Sequence, residues 1–124
     1  MSRIEDEKIL FLDDDIRRMK AFRRVHPRAI WVQTARECIK RILLPWDVIS
    51  LDHDLGGETF VDSQRKDCGM EVVRYILRNR PACLVQTRFI IHSRNQFAAI
   101  LMAEALSSAG YQCDREPFIN QMAA

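Results

Sequence analysis

The sequence has little of what would name a function at once. It holds only four cysteines, Cys38, Cys68, Cys83 and Cys113. No two are close enough to form a CxxC pair, which argues against a zinc knuckle or a thioredoxin-type site. They read instead as buried free thiols, packed as small hydrophobes in a reducing compartment. No apolar run approaches the ~20 residues that a membrane span needs. The opening MSRIEDEK lacks the apolar core of a signal peptide, so a cytoplasmic location and no membrane partner are expected. Neither charge dominates: 19 Lys and Arg face 17 Asp and Glu, with no polybasic tail, which speaks against broad, sequence-blind nucleic-acid binding. Fifteen of the basic residues are Arg, a weak pointer to an anionic partner held in a defined geometry. There is no internal repeat, and 124 residues have room for one domain, 1–124.

What the chain does have is regular alternation of extended and helical patterns. Lys8 to Leu12 (KILFL) is an apolar run fit for a strand buried on both faces, and Asp13, Asp14 and Asp15 stop it. Ile16, Met19 and Phe22 then share one helical face, up to Pro27. Ala29 to Val32 reads as a second strand. Thr34 and Glu37 form a capping-box pattern before apolar Ile39, Ile42 and Leu43, and Pro45 closes that helix. Asp47 to Leu51 is the third strand, followed by Asp52, His53, Asp54, Leu55, Gly56 and Gly57. A polar loop of about a dozen residues comes next, longer than the usual connection and of a kind that is often functional. From Gly69, the positions Val73, Ile76 and Leu77 mark a third helix that stops before Pro81. Arg88 to Ile91 is the fourth strand, ending at His92 and Ser93. Ser93 with Gln96 reads as the cap of a fourth helix bearing Phe97, Ile100, Leu101 and Ala105, with Gly110 at its end. Tyr111 to Cys113 is a weak fifth strand. This β-α alternation predicts an α/β three-layer sandwich, with a five-stranded parallel sheet in the flavodoxin-like order 2-1-3-4-5.

In that topology ligands bind beyond the carboxyl ends of the strands, where the conspicuous polar residues fall. The first strand delivers Asp13 and Asp14, the third Asp52, His53 and Asp54, the fourth His92, Ser93, Arg94 and Asn95. Converging carboxylates either raise one another's pKa or gather a cation. A hard divalent ion such as Mg2+ is the expected cofactor, with Asp13, Asp14, Asp52 and Asp54 as candidate ligands. Asp15 reads as the cap of the first helix, and Asp54 has the alternative of capping a turn. His53 and His92 at neighbouring strand ends are either hydrogen-bonded structural groups or an acid–base pair around one phosphate, with Asp52 beside them. Ser93 caps its helix and also offers a hydroxyl at an anion-binding helix terminus. Arg94 and Asn95 are placed either to help hold a phosphate or, for Arg94, to face solvent. Gly56 and Gly57 read as a flexible turn, and His26 as a loop residue.

These motifs resemble the receiver domains of two-component response regulators. ILFLDDD is similar to the receiver's first strand and acidic pair, VISLDHD to its third strand with the phosphoacceptor aspartate at Asp52, and FIIHS to its fourth strand with the hydroxyl residue at Ser93. The likeness runs from Lys8 to Phe118. It departs where receivers carry a Lys-Pro-Phe-like segment. Here Glu116-Pro117-Phe118 stands, no lysine follows Lys66, and a carboxylate cannot perform the lysine's charge-pairing role. LDHDLG and the HSxN pattern resemble instead a derived group, the cyclic-phosphate processing receiver-like domains. That resemblance implies a metal-assisted phosphoesterase-like domain that acts on or binds cyclic phosphates of nucleotides or RNA ends. Its partner would be a phosphate-containing small molecule or nucleotide. The alternative is a degenerate receiver acting as a phosphoacceptor or a protein-interaction module.

Overall fold

The computed structural model describes residues 7–117; Phe118 and the first six residues of the opening segment lie outside the described residues. The chain order is β1 (Ile9–Leu12), α1 (Ile16–Val25), β2 (Ile30–Val32), α2 (Ala35–Arg41), β3 (Val48–Leu51), α3 (Gly69–Asn79), β4 (Arg88–Ile91), α4 (Gln96–Ser108) and β5 (Gln112–Arg115), with a short 3-10 turn at Ala82–Leu84. All strands are parallel and lie in the order β2-β1-β3-β4-β5, as the alternation predicts. The fifth strand runs later than Tyr111 to Cys113, because the Tyr111 amide is taken by the Leu106 carbonyl at 3.0 Å, in the turn after α4.

The period of two along each strand divides the apolar side chains between two cores. Leu10, Leu12, Ile49, Leu51, Phe89 and Ile91 face the larger core, under Cys38, Ile42, Val72, Val73, Ile76, Met102 and Leu106. Ile9, Phe11 and Val48 face a smaller one with Met19 and Phe22 of α1. Both faces of β1 and β3 are therefore covered, which explains their uninterrupted hydrophobic runs.

Several expectations about faces and caps are corrected. Phe97, Ile100 and Leu101 of α4 are exposed at 79, 37 and 41%, while Ala98, Ala99, Met102 and Leu106 enter the core. The helix is apolar on almost every side, so its periodicity does not select a face. Ile16 and Leu43 are likewise exposed. The cap of α4 is Asn95, whose Oδ1 accepts from Ala98 N at 3.2 Å. Ser93 sits two residues earlier, its Oγ accepting from Asn95 N at 3.0 Å. Thr34 caps α2 as expected, accepting from Glu37 N at 3.0 Å. His26 is the C-cap of α1, its ring tilted against Phe22. The cysteines are all free, but only Cys38 and Cys68 are buried; Cys83 and Cys113 are half-buried.

Candidate functional site

Parallel pairing continues one residue past each of three strands and thereby fixes the site. Asp13 N donates to Val32 O at 3.1 Å, Asp52 N to Leu12 O at 3.0 Å, and His92 N to Leu51 O at 3.0 Å. Asp13, Asp52 and His92 are thus buried side by side, each offering a ligand atom within 4.8 Å of the others. The backbone ladder, more than any side-chain preference, brings these groups together.

Asp13 accepts four hydrogen bonds. Its Oδ1 takes Asp15 N and Arg18 Nη2, both at 2.9 Å. Its Oδ2 takes Arg18 Nε at 2.9 Å and His92 Nε2 at 3.0 Å. Burial pushes this carboxyl upward, but His92 and Arg18 outweigh it and hold the group at about 2. The forked guanidinium is the geometry in which Arg binds a carboxylate most tightly. Arg18 Nη2 also stands 3.6 Å from Asp14 Oδ1 and 3.6 Å from Asp52 Oδ2, and Nη1 lies 3.5 Å from Asp15 Oδ2. The sequence patterns assign Arg18 no place in the site. The available signal was its i,i+4 position after Asp14, one turn into the helix that Asp15 caps.

Asp52 is in a different state. Its Oδ1 accepts from His53 N at 2.8 Å, and among the described residues Oδ2 meets only Arg18, at 3.6 Å. Burial raises this carboxyl to about 6, with Asp13 adding to the rise and His92 and Arg18 opposing it. Asp14 accepts from Gly57 N at 2.6 Å. Gly56 and Gly57 have φ of 74° and 76°, the left-handed region where glycine carries no Cβ penalty.

The two histidines separate. His92 lines the cavity, stacks on Phe11 with ring centroids 4.8 Å apart, and meets Ser50 Oγ through Nδ1 at 2.7 Å. A ring protonated on Nε2 satisfies both polar contacts, with the Ser50 hydroxyl donating to Nδ1. His53 is fully buried and does not line that cavity. Its Nδ1 meets Asp54 Oδ1 at 2.7 Å and its Nε2 meets Ser63 Oγ at 3.0 Å. The expectation of two histidines around one phosphate is therefore corrected: His53 anchors the long loop.

Asp54 is the hub of that loop. Its oxygens accept from His53 Nδ1, from Asn95 Nδ2 at 3.2 Å, from Phe60 N at 2.8 Å and from Val61 N at 3.1 Å. Burial raises its pKa, yet these donors together leave it lowered. Asn95 is committed through Oδ1 to its helix and through Nδ2 to Asp54. Ser93 keeps its hydroxyl hydrogen for another acceptor, and exposed Arg94 borders the same space. Ser93, Arg94, His92, Arg18, Asp14, Asp52 and Asp54 line one cavity of about 340 Å³, within the range of small-ligand sites.

With Glu58 and Asp15 also at its wall, the cavity carries more carboxylates than guanidiniums. Oxygen donors with surplus negative charge suit a hard divalent cation, and Asp13, Asp52 and His92 bring ligand atoms close enough together to hold one. The charge at their centre is supplied by Arg18.

A family model described as "Cyclic-phosphate processing Receiver domain" matches residues 8–108. No curated protein matches the chain. Among solved structures, a mutant of the receiver domain of the histidine kinase CKI1 from Arabidopsis thaliana aligns with a TM-score of 0.64 at 16% identity, covering 97% of this chain and 87% of that one. An adenylate cyclase structure from Rhodopirellula baltica aligns at 0.61 and 19% identity, over 90% and 76% of the two chains. At such identities these likenesses show the fold alone.

Proposed function

Since the chain belongs to the cyclic-phosphate processing receiver domain family, we propose that its cavity binds a cyclic phosphate ester of a nucleotide or RNA end and opens it by hydrolysis. The observation that supports this most is the convergence of Asp52, Ser93 and Arg94 on one cavity over the strand ends. Asp14 and Asp52, with Asp13 behind them, would hold a divalent ion, Mg2+ by the family resemblance. When bound, that ion would neutralise phosphate charge that the carboxylates otherwise repel.

The remaining chemistry belongs to the chain. The Ser93 hydroxyl and the Arg94 guanidinium bind phosphate oxygens near the amino terminus of α4. His92 holds Asp13 in place through the ring that Ser50 and Phe11 orient. Asp52, at the cavity wall with its neighbouring amide as its one close donor among the described residues, is the group placed to accept a proton from water. It takes that proton from water as the water oxygen bonds to phosphorus; one ring P–O bond breaks and its oxygen is protonated from solvent, leaving a phosphate monoester. A panel of 2′,3′-cyclic nucleotides followed by phosphorus NMR with Mg2+ or Mn2+ should show the monoester form, and Asp52→Asn should abolish it. If every substrate is left intact by wild-type protein, the hydrolytic reading fails.

A second reading has its own support: Asp52 directly follows β3 and lines the cavity, at the position the resemblance gives a phosphoacceptor. Acetyl phosphate with Mg2+ should then add one labile phosphate by intact mass, absent in Asp52→Asn. Against a phosphorylation switch stands Glu116, whose N donates to Ile91 O at 2.9 Å. That hydrogen bond carries a carboxylate to the strand end where receivers have a lysine.

A further inference from the structure

We infer that Arg18 and a divalent cation are alternative occupants of the acidic pocket, so that metal enters only as the guanidinium leaves. Each carboxylate oxygen has two acceptor directions, and all four on Asp13 are filled: two by Arg18, one by His92 and one by Asp15 N. A cation bound to Asp13 must take a direction that a donor now holds. His92 is pinned by its own ladder bond and by Ser50, and Asp15 N belongs to the helix cap, so Arg18 is the donor that can be displaced. It is also the group whose charge a divalent ion would duplicate. The same Nη2 spans Asp13, Asp14 and Asp52, the three carboxylates assigned above to the ion.

Arg18 has a way out. Its side chain is 26% exposed where Asp13 is fully buried, and it stands on the first turn of α1, at the cavity wall. The cation must therefore compete with a forked ion pair, and the affinity of the wild-type chain for metal is the intrinsic affinity of the carboxylates reduced by that competition. Arg18 thereby sets when the site is loaded: it keeps the buried carboxylates paired in the absence of metal.

This inference rests on the cation reading of the cavity given above, and its test reads binding without turnover. Mn2+ titrations followed by electron paramagnetic resonance compare wild type with Arg18→Ala and with Arg18→Gln, which keeps most of the side chain's length and loses its charge. At least about tenfold tighter binding in the variants is expected. If wild type and variants bind Mn2+ equally, the exchange is overturned while the cation site stands. If none of them binds Mn2+, the exchange and the cation reading fall together, and phosphorus NMR then decides whether a metal-free phosphate site remains. Should both variants unfold, nitrogen NMR of wild-type protein decides. Added Mg2+ should move the Arg18 Nε–H signal out of its hydrogen-bonded position in step with the Asp14 and Asp52 amides; an unmoved Arg18 signal beside shifting amides overturns the proposal.

Discussion

Two buried aspartates only a ladder rung apart differ because their donors differ. Asp13 has four, two of them charge-assisted by Arg18; Asp52 has one close donor, its neighbouring amide. The signs of their pH effects are therefore opposite. The folded-state pKa of Asp13, about 2, lies below the ordinary 3.8, so its stabilisation is present above pH 4 and is lost as pH falls toward 2. That of Asp52, about 6, lies above 3.8, so its ionisation destabilises the fold above pH 6 and the penalty disappears as pH falls from 6 toward 4. Thermal unfolding should thus show stability rising as pH falls from 6 toward 4, then collapsing below pH 4. Asp52→Asn should be more stable than wild type at neutral pH by about 1–3 kcal/mol and should lose the rise between pH 6 and 4. Asp13→Ala should cost about 3–5 kcal/mol, since it strands Arg18 and His92 without their shared acceptor.

Among the elements, α3 is the one the site constrains most. A Cβ on Gly69 would overlap the Asp52 carbonyl and stand 2.9 Å from His53 Cα, and Gly69 N donates to His53 O at 2.8 Å. The helix start is thus pressed against the very segment that carries Asp52. Gly69→Ala should destabilise by roughly 3 kcal/mol and shift the Asp52 and His53 amide signals, whereas Gly110→Ala, whose new Cβ meets nothing within 4 Å, should leave those signals alone. The cap of α4 gives a second comparison. Asn95→Ala removes a helix cap and a loop bond to Asp54, and in urea titrations should cost about 1–2 kcal/mol, more than Ser93→Ala. The α4 cap was misread from sequence because both Ser93 and Asn95 are good cap residues, and only the turn after β4 decides which one reaches the helix.

Over the whole molecule, the sheet is backed unevenly. Among the described residues, twenty buried ones form the core beneath α2, α3 and α4, against six in the core under α1. Local opening should begin where least apolar surface is lost, so amides late in α1 should exchange faster than those of β3, which follow global unfolding. Arg18 lies on that same helix. Any opening of α1 therefore loosens the ion pair that fills the acidic pocket, and Mn2+ or Mg2+ should slow exchange elsewhere less than it alters exchange at the start of α1.

Alternating strand and helix patterns, most of them closed by a proline, glycine or acidic run, determined the sheet order and placed Asp13, Asp52 and His92 at strand ends. Those are local properties, and parallel topology turns them into a shared edge with little freedom. Tertiary structure alone decided the rest: that His53 turns away to Ser63 while His92 faces the cavity, and that α4 buries its alanines and shows Phe97. It also decided that one of fifteen arginines, Arg18, sits among four aspartates. A side chain's direction past a strand end depends on which neighbours offer a partner, and those neighbours come from distant parts of the chain.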